Sequence, residues 1–193
     1  MVRQSNELIE ASYKIASIGE GRLIRMLIAQ IKPTDEDFKT YRISVADYAK
    51  FFGLSGNNVY ALIKKSADEL AGRRIMIEQG KSWLRTNWLS SAEYIEGSGF
   101  VDLCFDKKLK PYLLQLQGYY KDYELERIIN FKSSYSIRLF ELLKVEEFKA
   151  TRDGFKRSFD YEDLRDKLGL ENQEYSFFKD FRVNVIEVAK REI

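Results

Sequence analysis

"VADYAKFFGL" (residues 45–54) and "YEDLRDKLGL" (161–170) are two versions of one device. Each carries an aspartate and, five residues later, an apolar-Gly-apolar ending: Asp47 with Phe52-Gly53-Leu54, and Asp163 with Leu168-Gly169-Leu170. Placing Ile43 on Phe159 also brings Tyr48 onto Leu164. With two more residues in the following turn, Val59 falls on Phe177, Ile63 on Phe181, Ala67 on Val185, Leu70 on Val188 and Ala71 on Ala189. Arg73 then matches Arg191, and Ile75 matches Ile193. A short helix, a turn opened by glycine and a longer helix with a repeated inward face give the spacing of a helix-turn-helix, in which the second helix presents its outer face to a DNA groove.

The surroundings of the first copy extend this reading. "SNELIEASYKIA" (5–16) predicts a helix capped by Ser5 or Asn6, and "EGRLIRMLIAQI" (20–31) a second one stopped by Pro33. "YRIS" (41–44) reads as a strand, with Ser44 capping the next helix and Gly53 ending it in a left-handed turn. After the longer helix, "RIMIE" and "SWLRTNWLSSAEYI" have strand character, joined by the hairpin loop "QGKS", and "FVDLCF" forms a further strand. This order is that of a winged helix-turn-helix. Beyond it, "KKLKPYLLQLQ" predicts a helix, "GYYKDYELERI" an aromatic connection, and "SSYSIRLFELLKVEEF" a long helix with Tyr135, Leu139, Leu142 and Leu143 as its apolar stripe.

Two linked copies suit two successive grooves, since linkage raises affinity through effective concentration. Outer-face residues favour DNA over the alternative of a duplicated helical domain with no DNA role. In the first copy Asn57 and Asn58 stand at the groove end of the helix, where Asn suits bidentate contact with adenine, and Tyr60, Lys64 and Lys65 follow. Arg73, Arg74, Lys81 and Arg85 lie where phosphates would run. In the second copy an inward row of Phe178, Phe181, Val185 and Val188 leaves Ser176, Lys179, Val183, Glu187 and Lys190 outward, flanked by Asp180, Arg182 and Asn184. That copy stops at the equivalent of Ile75, so the expected second domain is truncated before its wing. Its inward row must then find cover elsewhere.

Composition narrows the chemistry. Across 193 residues a net charge of +2 hides a charged fraction of 32%, so a basic face requires segregation of Lys and Arg. Histidine is absent, which removes histidine metal sites and Ser-His or Cys-His nucleophiles and weighs against a nicking enzyme, although tyrosine nucleophiles are plentiful. The single cysteine, Cys104, excludes an intramolecular disulfide. "IEGSGF" (95–100) lacks the spacing of a phosphate loop. With no long apolar stretch or signal-peptide core, the expectation is a cytoplasmic, non-enzymatic protein without cofactor or membrane contact.

"SNELIEASYKIASIGEGRLIRMLIAQI" (5–31) resembles the opening of the initiator replication proteins of iteron-containing plasmids, which read Ser-Asn-x-Leu-Ile-x-Ala. "FKSSYSIRLFELL" (131–143) is similar to that family's Leu-Lys-Ser-x-Tyr-x-x-Arg-Leu-Tyr-Glu-Leu-Leu segment, and "FDYEDLRDKLGL" with "FKDFRVNVIEVAKREI" to its second helix-turn-helix. The resemblance implies an α+β protein of two tandem winged-helix domains joined by a long helix: 1–130 for dimerisation and DNA contact, 131–193 for DNA reading. It implies origin repeats in double-stranded DNA as ligand, binding as a monomer, repression of its own synthesis as a homodimer, and host replication proteins as partners. By position, Lys179, Asp180, Arg182, Val183 and Asn184 occupy the family's base-reading turn. That turn is often a run of arginines, whereas here only Arg182 is basic between Phe181 and Val185, and Val183 offers a methyl contact to thymine. The other reading is a winged-helix transcription regulator unrelated to replication.

Overall fold

The computed structural model describes residues 1–56, 58–152 and 154–193. The chain opens with strand β1 (Val2–Ser5), and Ser5 caps helix α1 (Asn6–Glu10) by accepting the Leu8 N–H at 3.2 Å. The helix expected over 5–16 stops there. The Arg138 guanidinium takes the carbonyls of Ile9 and Ala11 at 3.1 and 3.0 Å, which a continuing helix would need for its own bonds. Ser12 instead exchanges backbone bonds with Met76, at 2.9 and 3.0 Å.

Helix α2 (Ile18–Ile28) is capped by Ser17. Strand β2 (Tyr41–Ser44) leads into α3 (Val45–Phe51), capped by Ser44 as its sequence predicts, and Gly53 follows at φ +63°. Helix α4 (Asn58–Ala71) buries Val59, Ile63, Ala67 and Leu70. Strands β3 (Arg74–Gln79) and β4 (Ser82–Asn87) form an antiparallel hairpin turning at Gly80, φ +59°. The strand expected to run on through residue 95 breaks at Trp88, which is fully buried. Its second half is β5 (Leu89–Tyr94), which joins β6 (Phe100–Phe105) and β2 in a separate sheet of order β2-β6-β5.

"KKLKPYLLQLQ" holds only a 3₁₀ turn and one α-turn, α5 (Lys110–Leu113), in place of the expected helix. The aromatic connection contains a strand, β7 (Tyr120–Tyr123), paired antiparallel with β1. Helix α6 (Ser134–Val145) follows, then α7 (Tyr161–Lys167), capped by Asp160. The last helix consists of α8 (Phe178–Phe181), a π turn (Arg182–Ile186) and α9 (Glu187–Glu192). Among the described residues no strand follows Gly154.

The α6 helix is common to two cores. Ile137 and Phe140 enter the large one, with α2, α4 and the sheets, while Leu139 and Leu142 enter a smaller one with Ile9, Leu164, Leu168, Leu170, Phe181, Val185 and Ala189. The inward row of the last helix is therefore covered by α6 and by Ile9. Two members of the expected row are corrected: Phe178 is 59% exposed and Val188 only half-buried, with Ala189 buried instead. A π turn takes one extra residue, so positions after it rotate and the buried series becomes 181, 185, 189.

Candidate nucleic-acid interface

Where α4 packs inward through Val59 and Ile63, it turns Asn58, Tyr60, Lys64 and Lys65 outward. Lys64 Nζ sits 5.5 Å from the Tyr94 ring, and Lys65 makes a loose pair with Glu69 at 3.7 Å. Asn57 lies outside the described residues. On the hairpin Arg74, Lys81 and Arg85 are exposed, with Trp83 beside them at 67% exposure and the Arg85 guanidinium 5.6 Å from its ring. Arg73 is placed differently. Its guanidinium forks onto the buried Glu20 carboxylate at 2.7 and 3.0 Å, and that hydrogen bonding raises its pKa. Its charge is matched inside the protein, so it braces α2 against the base of the hairpin.

The second copy exposes Ser176, Lys179, Asp180, Arg182, Val183, Asn184 and Lys190. Lys179, Arg182 and Lys190 form no ion pair among the described residues. Asn184 donates one amide hydrogen to the Asp180 carbonyl at 2.9 Å. The π turn coincides with the expected base-reading residues 182–184 and widens the helix there.

Three features escaped sequence reasoning. Phe177 and Phe178 stand exposed at the start of the last helix, because they precede the part that packs against α6, from Phe181 onward. Buried Arg165 closes the turn between α7 and α8 through carbonyl bonds. A charge network also pins α6: Glu141, wholly buried, accepts from Arg25 at 3.0 and 2.5 Å, from Tyr123 at 2.7 Å and from Gln4 at 2.5 Å, beside buried Arg138 and Tyr13. Burial alone would raise the Glu141 pKa, but the charge and hydrogen bonds of Arg25 outweigh it and hold the carboxyl below its ordinary value. Charged residues on a helix otherwise read as solvated, and only the i, i+3 spacing of Arg138 and Glu141 in "SIRLFELL" carries a trace of this.

The two copies meet along a seam. Lys14 bonds both carboxylate oxygens of Glu174 at 2.8 Å, Glu10 pairs with Arg157 at 2.6 Å, and Gly169 packs on the Tyr13–Lys14 backbone. A cavity of about 340 Å³ spans the seam, lined by Arg74 and Arg85 of the hairpin and by Asp166 and Gly169.

A helix-turn-helix with a hairpin beside it, followed by a second such helix pair with cations on its outer face, defines the class: a winged-helix protein with tandem helix-turn-helix units. The chain belongs to the initiator replication protein family. The family's first model, "Initiator Replication protein, WH1", matches residues 1–144, and its second, "Initiator Rep protein, WH2", matches residues 160–193. Among curated proteins it is 27% identical over 183 residues to an Escherichia coli "Replication initiation protein", covering 92% of this chain and 57% of that one. It is 26% identical over 164 residues to an "Uncharacterized 27.6 kDa protein" of Escherichia coli, covering 78% of this chain and 67% of that one. The chain thus spans little more than half of the first relative's length. Among solved structures, "Pi initiator protein in complex with iteron DNA" has the same fold, with a TM-score of 0.74 over 99% of this chain and 84% of that one at 19% identity.

Proposed function

We propose that this chain is the duplex-reading part of a replication initiator that binds repeated sequences at an origin. The observation that carries the reading is the recurrence of one arrangement in both copies: a helix anchored by a buried apolar row, with exposed cations on its outer face or on the hairpin beside it. Lys64 and the hairpin residues Arg74, Lys81 and Arg85 serve the first copy; Lys179, Arg182 and Lys190 serve the second, with Asn58, Tyr60, Lys65, Ser176, Asp180, Val183 and Asn184 beside them. Asn57 joins the set on its sequence position. Long cations position the chain on phosphates, while Asn58, Val183 and Asn184 contact base edges. In this reading residues 1–130 provide dimerisation and DNA contact and 131–193 provide reading. Repression of its own synthesis by a homodimer, contact with host replication proteins and a cytoplasmic location belong to the same proposal. Family membership, and the names of the relative and of the solved structure, support it.

Mobility shifts of duplex DNA across a salt series test the reading. Affinity should fall with salt at a slope of about −0.9 per phosphate neutralised. Binding that is equal at low and high salt would refute it.

A further inference from the structure

We infer that Arg165 is a positioning residue for sequence reading, setting the angle at which the second reading helix leaves its turn. The inference rests on the two-reader proposal above. Arg165 lies on α7 with its side chain buried. Its Nη1 donates to the Tyr175 carbonyl at 2.9 Å, and its Nη2 donates to the carbonyls of Glu174 and Glu171 at 2.9 and 3.0 Å. A planar fork that satisfies three carbonyls of one loop fixes their relative directions, which a lysine's point charge does not. The loop needs fixing, because Tyr175 sits at φ +49°, a left-handed conformation that non-glycine residues rarely adopt. Lys14 of the first module grips the Glu174 carboxylate, so the clamped turn is also keyed to the rest of the molecule.

Among the described residues, the first copy shows no such device. Its residue equivalent to Arg165 is Ala49, and its turn relies on Gly56, at φ +95°, where glycine is at ease. The clamp is thus a property of the second reader and not of helix-turn-helix packing in general. Leverage makes it matter. Val183 lies five residues into the helix that begins at Phe178, about 7.5 Å at 1.5 Å per residue, so a tilt of about 15° at the turn moves it by about 2 Å. A hydrogen bond or methyl contact to a base edge is lost over that distance, whereas long Lys and Arg side chains follow a phosphate.

The test uses two probes: a duplex recovered from a random-sequence pool by the wild-type chain, and a scrambled duplex of the same composition. Arg165→Met should lower affinity for the recovered duplex about 10- to 100-fold, the scale of a disturbed base contact, and leave the scrambled duplex within about twofold. Arg165→Lys should fall between Met and wild type. Tyr175→Asn added to Arg165→Met should restore part of the preference, because asparagine tolerates the left-handed conformation. Undiminished preference in Arg165→Met would overturn the inference. So would an equal loss on both duplexes that Tyr175→Asn does not repair, which would mark Arg165 as needed only for folding. A wild-type chain with no preference between the probes would instead defeat the proposal of sequence reading itself.

Discussion

Gly53 and Gly169 adopt nearly the same backbone, φ +63° and +64°, at equivalent points of the two copies. Their surroundings differ. A Cβ on Gly53 would meet nothing within 4 Å, whereas on Gly169 it would lie 2.4 Å from the Lys14 backbone nitrogen and 2.6 Å from the Tyr13 carbonyl carbon. Gly53→Ala should therefore cost only the left-handed penalty, about 1–2 kcal/mol in denaturant midpoints, and Gly169→Ala clearly more, because it also prises α7 from the first module. The buried pair gives a second expectation. Removing the partner of Glu141 by Arg25→Met should destabilise the chain by about 3–5 kcal/mol. Because Arg25 depresses the folded-state pKa of Glu141 below 4.5, its contribution is complete above pH 4.5 and is lost as pH falls through the lower folded value. Acid titration of unfolding should show wild type losing stability below that point, and Glu141→Gln losing less. At this scale the caps Ser5 and Ser44 were legible because capping is local. Arg138, Glu141 and Arg165 were not, because their partners come from distant segments and a helix position alone does not say that a charge is buried.

Among the elements, periodicity read α3, α4, α7 and the hairpin, where one face is buried and the turn residues are glycines. It failed where the backbone departs from a regular period. Trp88 splits a run of strand-forming residues between two sheets, and the π turn shifts the inner face of the last helix by one residue. The π turn has a measurable consequence. Val185→Ala should cost about 2 kcal/mol, as removal of a fully buried valine's methyls requires, and Val188→Ala distinctly less, although an unbroken α-period would rank them equally. Chemical denaturation of the two variants distinguishes these registers. The helix expected across 5–16 was lost for a related reason: its first two turns have helical spacing, but Arg138 and Met76 claim the backbone groups that would have continued it.

Across the whole molecule the duplication was legible from Tyr48/Leu164, Phe52/Leu168, Ile63/Phe181 and Ala67/Val185, buried in both copies, although Val59/Phe177 and Leu70/Val188 are fully buried only in the first. The sharing of α6 between the cores and the seam closed by Lys14, Glu10 and Gly169 were not, since both depend on how the copies dock. Under the proposed function, each copy reads its own stretch of duplex. Footprinting on the DNA recovered by selection tests this most directly, comparing wild type with Lys64→Ala/Arg74→Ala in the first copy and Lys179→Ala/Arg182→Ala in the second. Two adjacent protected segments are predicted for wild type, each fading in the variant of its own copy while the other persists at higher protein concentration, with a smaller salt slope in both variants. A single protected segment that vanishes with changes in one copy and ignores changes in the other would contradict the account.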